Sequence, residues 1–350
     1  MNTQNPNPGN SGSIEATFTF PEISNLIQKK FAERLSDVPM DASPLYIKKS
    51  VGYGQGDSIQ VNEQDFSTYA NAMPEGANAQ KGLFGVGYHK QVAWYRYGKE
   101  YDITYKARTT AQWIDIVAQT VQAMSTNVPN RMNLDKTHML TFGAGTNYID
   151  MDGFERDTST GDGLSLFNSA HFLAFTGATY SNIVTGNPQF SKSALESAEF
   201  LSITNILDNF GKQKRMKFSH IWHADNTTLE NDIMQFLKSI SDPVQANAGV
   251  MNPYRSKYQA LRLSLLASDV NGNPDTSKRL WWGIGAFEGS GGERWQAYCV
   301  TWEPARLITM PSAGNNGEDR HNDNWSWGVR GTENYATLSG RGIIASMPVI

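Results

Sequence analysis

Residues 83–94 read LFGVGYHKQVAW. Phe84, Val86, Tyr88, Val92 and Trp94 fall on even positions, the period of a strand with one apolar face. After Trp94 the alternation slips by one, to Tyr95 and Tyr97, then Tyr101, Ile103 and Tyr105. Such a slip exchanges the two faces of a strand, and a β-bulge near Trp94 is the expected cause. The preceding NAMPEGANAQKG (71–82) is made of turn residues with little apolar pattern, so it reads as a long tip. The stretch 51–107 therefore predicts a long β-hairpin, with 57–73 supplying part of its first strand. A two-stranded hairpin alone is marginal in water. This one carries aromatic residues on both faces and needs a surface to lie on. The plainer alternative is an ordinary hairpin inside a larger sheet.

Residues 1–13 (MNTQNPNPGNSGS) cannot bury enough apolar area to order themselves. A strand-like run, Ile14 to Phe20, leads to a helix over 22–35, with Ile23, Leu26, Ile27, Phe31 and Leu35 at helical spacing before Pro39. Residues 108–127 predict a second helix with Trp113, Ile114, Val117, Val121 and Met124 on one face; it would span about 30 Å. Pro129 should break or kink it, with a resumption from Leu134 to Phe142. The Gly-, Asp- and Thr-rich 143–163 reads as a loop. Further helices are expected over 192–210, ended at Gly211, and over 227–240, capped by Asp225 or Asn226. Phe218 to His223 reads as a buried strand. Strands follow at 260–267, 279–287 and 294–302, and a strand pair at 325–345. Four of the nine tryptophans fall between 281 and 302, which marks a packed β layer. No period of 20–50 residues repeats. The total is a mixed α+β chain with two lobes and long appendages.

The 350 residues carry 30 Lys plus Arg against 34 Asp plus Glu, a net charge of −4. That excludes nucleic-acid binding by bulk positive charge. Charged residues are 18% of the chain, below the usual ~25%, so much of the surface is neutral and polar, which suits protein–protein contact. The single cysteine, Cys299, cannot form an internal disulfide or a cysteine zinc cage. No apolar run approaches the ~20 residues of a membrane span, and the N-terminus lacks the basic and apolar regions of a secretion signal. The expectation is a chain kept on the cytoplasmic side, with no membrane partner.

A search for catalytic chemistry yields no catalytic, cofactor-binding or metal-binding residue to nominate. The glycine clusters GYGQGD (52–57), GVGY (85–88) and GIGAFEG (283–289) fit neither GxGxxG nor GxxxxGK[ST] and read as turns and bulges. His220 and His223 sit at i and i+3 of a strand, on opposite faces, so without a sharp bend they cannot converge on a metal with Asp225. Asp150, Asp152 and Asp157 with Gly153 lack the remaining ligands of a calcium loop. No GxSxG elbow is present. Paired carboxylates of a glycosidase need not be adjacent, and that reading stays open. The basic run Lys212, Lys214, Arg215 and Lys217 follows a helix C-terminus, where cations offset the dipole; a nucleic-acid contact is its alternative.

Residues 161–182, GDGLSLFNSAHFLAFTGATYSN, resemble the middle of tailed-phage major capsid proteins of the Mu-like head-subunit group. The elements of that pattern are Gly161-Asp162-Gly163, Leu166 to His171, Gly177 and Tyr180-Ser181-Asn182. Further matches follow in order: FSKSALESA (190–198), Asn252-Pro253-Tyr254, and WSWGVRGTENYATLSGRGIIAS (325–346). Phe172 departs from the proline that often follows in the family. The resemblance spans residues 60–346 and is strong at 161–198.

It implies the Hong Kong 97 type capsid fold. Its parts would be an N-terminal arm (1–50), an extended loop (51–107), a peripheral domain with a spine helix (108–192 and 301–350) and an axial domain (193–300). The implied role is a non-enzymatic major capsid protein that assembles into an icosahedral shell around packaged double-stranded DNA. The implied partners are further copies, as pentamers and hexamers, with a separate scaffolding protein, a portal and a decoration protein; contact with the packaged DNA would be weak and non-specific. On the hairpin, Phe84, Tyr88, Lys90, Trp94, Arg96 and Lys99 are the expected intersubunit contacts. Two alternatives remain: an encapsulin-like nanocompartment shell of the same fold, and a carbohydrate-binding or carbohydrate-active β-rich protein.

Overall fold

The computed structural model describes residues 20–35, 38–52, 54–66, 72–73, 75, 78, 84–104, 113–241, 249–289, 293–309 and 325–349. The expectations for 1–13, for the strand-like run before Phe20 and for most of the hairpin tip lie outside them. The elements begin with α1 (Phe20–Leu35), β1 (Ile47–Ser50), β2 (Ser58–Phe66), β3 (Phe84–Ala93), β4 (Arg96–Ile103) and α2 (Trp113–Thr141). The short strands β5 (Asn147–Ile149), β6 (Glu155–Asp157), β7 (His171–Phe172) and β8 (Thr179–Tyr180) come next. Then follow α3 (Lys192–Thr204), β9 (His220–Ala224), α4 (Thr227–Lys238), β10 (Gln259–Leu263) and β11 (Trp282–Gly285). The chain closes with β12 (Ala297–Thr309), β13 (Trp325–Thr337) and β14 (Ile343–Ser346). The fold is mixed α+β, with four α-helices and several small sheets among the described residues.

The chain divides into two units. One comprises Met1–Met40, Tyr95–Met132 and Trp302–Glu333, and the other Asp41–Trp94, Asn133–Thr301 and Asn334–Ile350. In the first, β13 pairs antiparallel with β4, from Trp325↔Ile103 to Thr332↔Arg96. Its core is Ile27 and Phe31 from α1, Tyr97 and Ile103 from β4, Val121, Met124, Val128 and Met132 from α2, and Trp327 and Val329 from β13. The expected face of the long helix is thus present at Val121 and Met124. The expected break at Pro129 is absent, and α2 runs through it. Proline costs the helix ~3 kcal/mol. Residues 132–141 are all buried, and a helix ended there would strand backbone carbonyls away from water.

The second unit is built on the sheet β10-β9-β11-β14, with β9 parallel to β10 and antiparallel to β11. Every residue of β9, β11 and β14 is buried. The sheet is covered on both faces, which is why these strands read as continuous apolar runs without alternation. One cover is α3 and α4, with Leu195, Ile233 and Phe236 against Ile221, Trp282 and Ile344. Asn226 caps α4 by accepting from Thr228 N at 3.0 Å. Helix α3 stops at Thr204, short of the expected 210. Asp208 Oδ1 accepts from Phe210 N at 3.0 Å and Lys212 N at 2.7 Å, which closes a turn around Gly211. Ile206 is buried from that turn, so its helical spacing was coincidental.

The hairpin exists as β2 and β3, a two-stranded sheet in which, among the described residues, each is the other's sole ladder partner. The expected bulge beside Trp94 is absent. β3 ends at Ala93, and β4 pairs with a different strand, so the slip marks a change of partner. The irregularity lies further along the hairpin, where Glu63 of β2 faces two residues of β3, Tyr88 and Gly87. The expected loop 143–163 contains the small hairpin β5–β6. Among the described residues no helix is long and apolar enough to cross a membrane.

Candidate assembly surface and the buried network beneath it

Glu63 follows Val61 on the buried face of β2 and is 1% exposed, and at the bulge two residues of β3, Tyr88 and Gly87, stand opposite it. There Glu63 Oε1 accepts from Arg341 Nη1 at 2.6 Å. Asn209 closes the ring: its Nδ2 donates to Glu63 Oε2 at 2.9 Å, and its Oδ1 accepts from Arg341 Nη2. Gly87 of β3 leaves room for this ring. A Cβ there would stand 2.6 Å from Glu63 Oε2 and 2.7 Å from Asn209 Nδ2. Three segments far apart in sequence are thus joined by one charged, hydrogen-bonded knot at the hairpin.

The knot continues into residues 161–182. Arg341 lies over the ring of Tyr180, at 5.5 Å from its centroid. Burial pushes the Tyr180 hydroxyl up to about 12. His171 stacks on Tyr180 at 5.0 Å between centroids, and its Nδ1 sits 2.8 Å from Asp162 Oδ2. Asp162 also accepts from Thr160 Oγ1 and from Leu164 N at 3.1 Å. Burial raises its pKa, but the hydrogen bonds from His171, Thr160 and Leu164 outweigh that and leave the carboxyl below its ordinary value. Asn182 donates to Leu166 O at 2.7 Å and accepts from Asn168 N at 2.9 Å. Gly340 lies against the same cluster, and a Cβ there would stand 2.6 Å from His171 Nε2. Asp162, His171, Tyr180 and Asn182, drawn from the GDG, the AH and the YSN, therefore form one polar cluster.

A second tie holds the hairpin at Lys90. It is 8% exposed, and its Nζ lies 3.1 Å from Asp157 Oδ2 and donates to Ser159 O. Burial pulls its pKa down against the pull of Asp157. The carboxylate that holds Lys90 is thus in its own chain, 67 positions away and invisible to local reading; Lys90 does not face outward as an intersubunit contact would. The bulge exchanges the faces of β3: before it Val92 is buried and Tyr88 half-buried, whereas beyond it Val86 is 55% exposed and Gly85 lies against Phe175. Trp94 is 47% exposed, and Arg96 and Lys99 on β4 are exposed. The side chain of Phe84 lies outside the described residues. Tyr88, Trp94, Arg96 and Lys99 therefore remain on the outside of their own units to differing degrees.

Glu63, Asn209 and Arg341 were missed by sequence reading. The available signals were a glutamate inside IQVNEQDF and an arginine between two glycines of the closing segment. The Asp150 carboxylate is spent on its own turn, accepting from Asp152 N at 3.0 Å and Phe154 N at 2.9 Å. His220 Nδ1 meets Ser219 Oγ at 2.8 Å, and His223 Nδ1 donates to Ala224 O at 2.9 Å. Cys299 is buried, with its Sγ 3.9 Å from Thr301 Oγ1.

No protein-family profile and no curated protein matches the chain. Among solved structures, it is similar to the asymmetric unit of the bacteriophage PhiM1 mature capsid, at 9% identity and a TM-score of 0.48, over 87% of this chain and 85% of that one. The capsid of the cyanophage P-SCSP1u gives 10% identity and a TM-score of 0.46, over 86% and 85%. A virus-like particle from Pyrococcus furiosus gives 9% identity and a TM-score of 0.44, over 93% and 99%.

Proposed function

We propose that this chain is the major capsid protein of a tailed bacteriophage, with the Hong Kong 97 type fold, and that copies of it close into an icosahedral shell around packaged double-stranded DNA. The observation that carries this reading is the hairpin. Its root is fixed by the Glu63–Arg341–Asn209 ring and by Lys90–Asp157, while among the described residues its two strands pair with each other alone. A hairpin that is expensively positioned yet left with open edges serves to reach another molecule. The family motif at 161–182 forms the cluster against which that root is set.

The domain layout goes with this reading: arm 1–50, extended loop 51–107, peripheral domain 108–192 and 301–350, and axial domain 193–300. The role is structural, not catalytic. Partners are further copies in pentamers and hexamers, with scaffolding, portal and decoration proteins. The DNA is enclosed and only weakly touched. The site of assembly is the host cytoplasm, and the final location is the virion. A glycan-binding role finds little support in the tryptophans, because Trp222, Trp282, Trp295 and Trp327 are fully buried. Expression with and without a scaffolding protein, followed by electron microscopy, tests the reading. Closed shells support it; shells that copurify with an enzyme cargo and no DNA-packaging apparatus would move it to a nanocompartment.

A further inference from the structure

The small hairpin β5–β6 has one face anchored and one displayed. Tyr148 and Arg156 are paired across it and both are buried. Tyr148 stacks on Phe142 at 4.6 Å, and Arg156 lies 3.6 Å from Asp135. Its turn is fixed by Asp150, whose N donates to Phe154 O at 2.8 Å while its carboxylate accepts from Asp152 N and Phe154 N. This rigid knuckle turns Ile149, Met151 and Phe154 outward, at 56%, 40% and 58% exposure. The charged side chains exposed on it, Asp152, Glu155 and Asp157, are all acidic.

Helix α3 shows the converse. It buries Ala194, Leu195 and Ala198 and turns Phe200 and Ile203 outward, at 66% and 58% exposure. The chain then folds back along the helix end: Gln213 Nε2 donates to Ile203 O at 2.5 Å, and Lys214 N donates to Ile206 O at 3.0 Å. That return sets Lys212, Lys214, Arg215 and Lys217 beside the apolar pair. Lys212, Arg215 and Lys217 are exposed, and Glu288, 3.5 Å from Lys217, is a weak counter-charge. Cations at a helix C-terminus offset its dipole, but that gives no reason for two large apolar side chains next to them.

We propose that the acidic apolar knuckle 147–157 of one copy docks on the α3 face and basic loop 212–217 of a second copy. The proposal rests on the shell-forming reading and names one of its contacts. The two patches match in both respects: apolar residues meet apolar residues, and carboxylates meet cations. Because they are different patches of the same chain, the contact is head-to-tail, the kind that closes into rings when the rotation allows. Complementary charge of this sort fixes partner and register.

Charge reversal in the full-length chain tests it. Asp152→Lys with Glu155→Lys, and separately Lys212→Glu with Arg215→Glu, should each lower the yield of closed particles by about tenfold or more. All four substitutions in one chain should restore it, and circular dichroism and thermal unfolding of each variant should match the parent. Parent-like assembly of either pair alone, or no rescue in the fourfold variant, would overturn the proposal. So would a Lys212→Glu/Arg215→Glu variant that assembles normally but packages less DNA, which would give the loop to nucleic acid. If the unsubstituted chain forms no particles, the shell reading itself fails, a result distinct from any of these.

Discussion

Arg341 Nη1 lies 2.6 Å from Glu63 Oε1, across 278 positions of sequence, and both side chains are almost wholly buried. The pair joins a bulge in the hairpin to the closing strand segment of the second unit. Removing one partner leaves a buried charge without its counter-ion, which costs about 3–5 kcal/mol, whereas replacing both by apolar groups is often neutral. Arg341→Met alone should therefore destabilise strongly, and adding Glu63→Leu should recover much of the loss. Denaturant unfolding of the two singles and the double checks this. Strict additivity would show that the two groups do not act together.

Two glycines of the hairpin region make a contrast. At Gly87 an added Cβ would stand 2.6 Å from Glu63 Oε2, while at Gly98 the nearest atom is 3.6 Å away. Gly87→Ala should cost about 1–3 kcal/mol by overpacking. Gly98→Ala should stay within about 0.5 kcal/mol of the parent. Thermal unfolding of both variants gives the comparison, and equal effects would mean that the ring does not depend on the missing side chain.

Lys90 gives an alkaline signature. Burial lowers its folded pKa below the unfolded value, so the unfolded chain binds the extra proton between the two values, and the parent gains stability as pH rises through that window. Lys90→Met lacks this group. The stability difference, parent minus variant, should rise with pH as the ordinary lysine value of ~10.4 is approached. Guanidine unfolding at several pH values measures it, and a flat difference would place the Lys90 ammonium in water.

Asp162 acts at the other end. Its folded pKa is depressed, so its contribution is complete above the unfolded carboxyl value of ~3.9 and is lost as pH falls through the folded value. Asp162→Asn should be less stable at neutral pH and should show a shallower acid limb below pH ~4. An unchanged acid limb would mean that His171, Thr160 and Leu164 do not hold this carboxylate in its charged form.

Much of the layout was legible in the sequence wherever periodicity reports burial. The hairpin strands, α1, the stripe Leu229, Ile233, Phe236 and Leu237 of α4, and the cap at Asn226 all follow local rules. Pro129 misled because local propensity yields to complete burial of the following turns. Ile206 and Leu207 misled because apolar spacing cannot tell a helix end from a turn that packs inward. The slip after Trp94 was read correctly as a change of face, but a change of strand partner produces the same pattern as a bulge. The ring of Glu63, Asn209 and Arg341 was out of reach, since buried polar partners leave no local signature when each lies more than a hundred positions from the next. The resemblance pointed to Asp162, His171 and Asn182 without a reason; their hydrogen bonds supply it.

The central claim is that the chain is built to be completed by copies of itself. Sedimentation velocity of the purified full-length chain, across salt concentrations and with scaffolding protein added, tests it most directly. The account predicts a fast-sedimenting population that electron microscopy resolves as closed shells. A stable monomer of 38.8 kDa under every one of these conditions would contradict it.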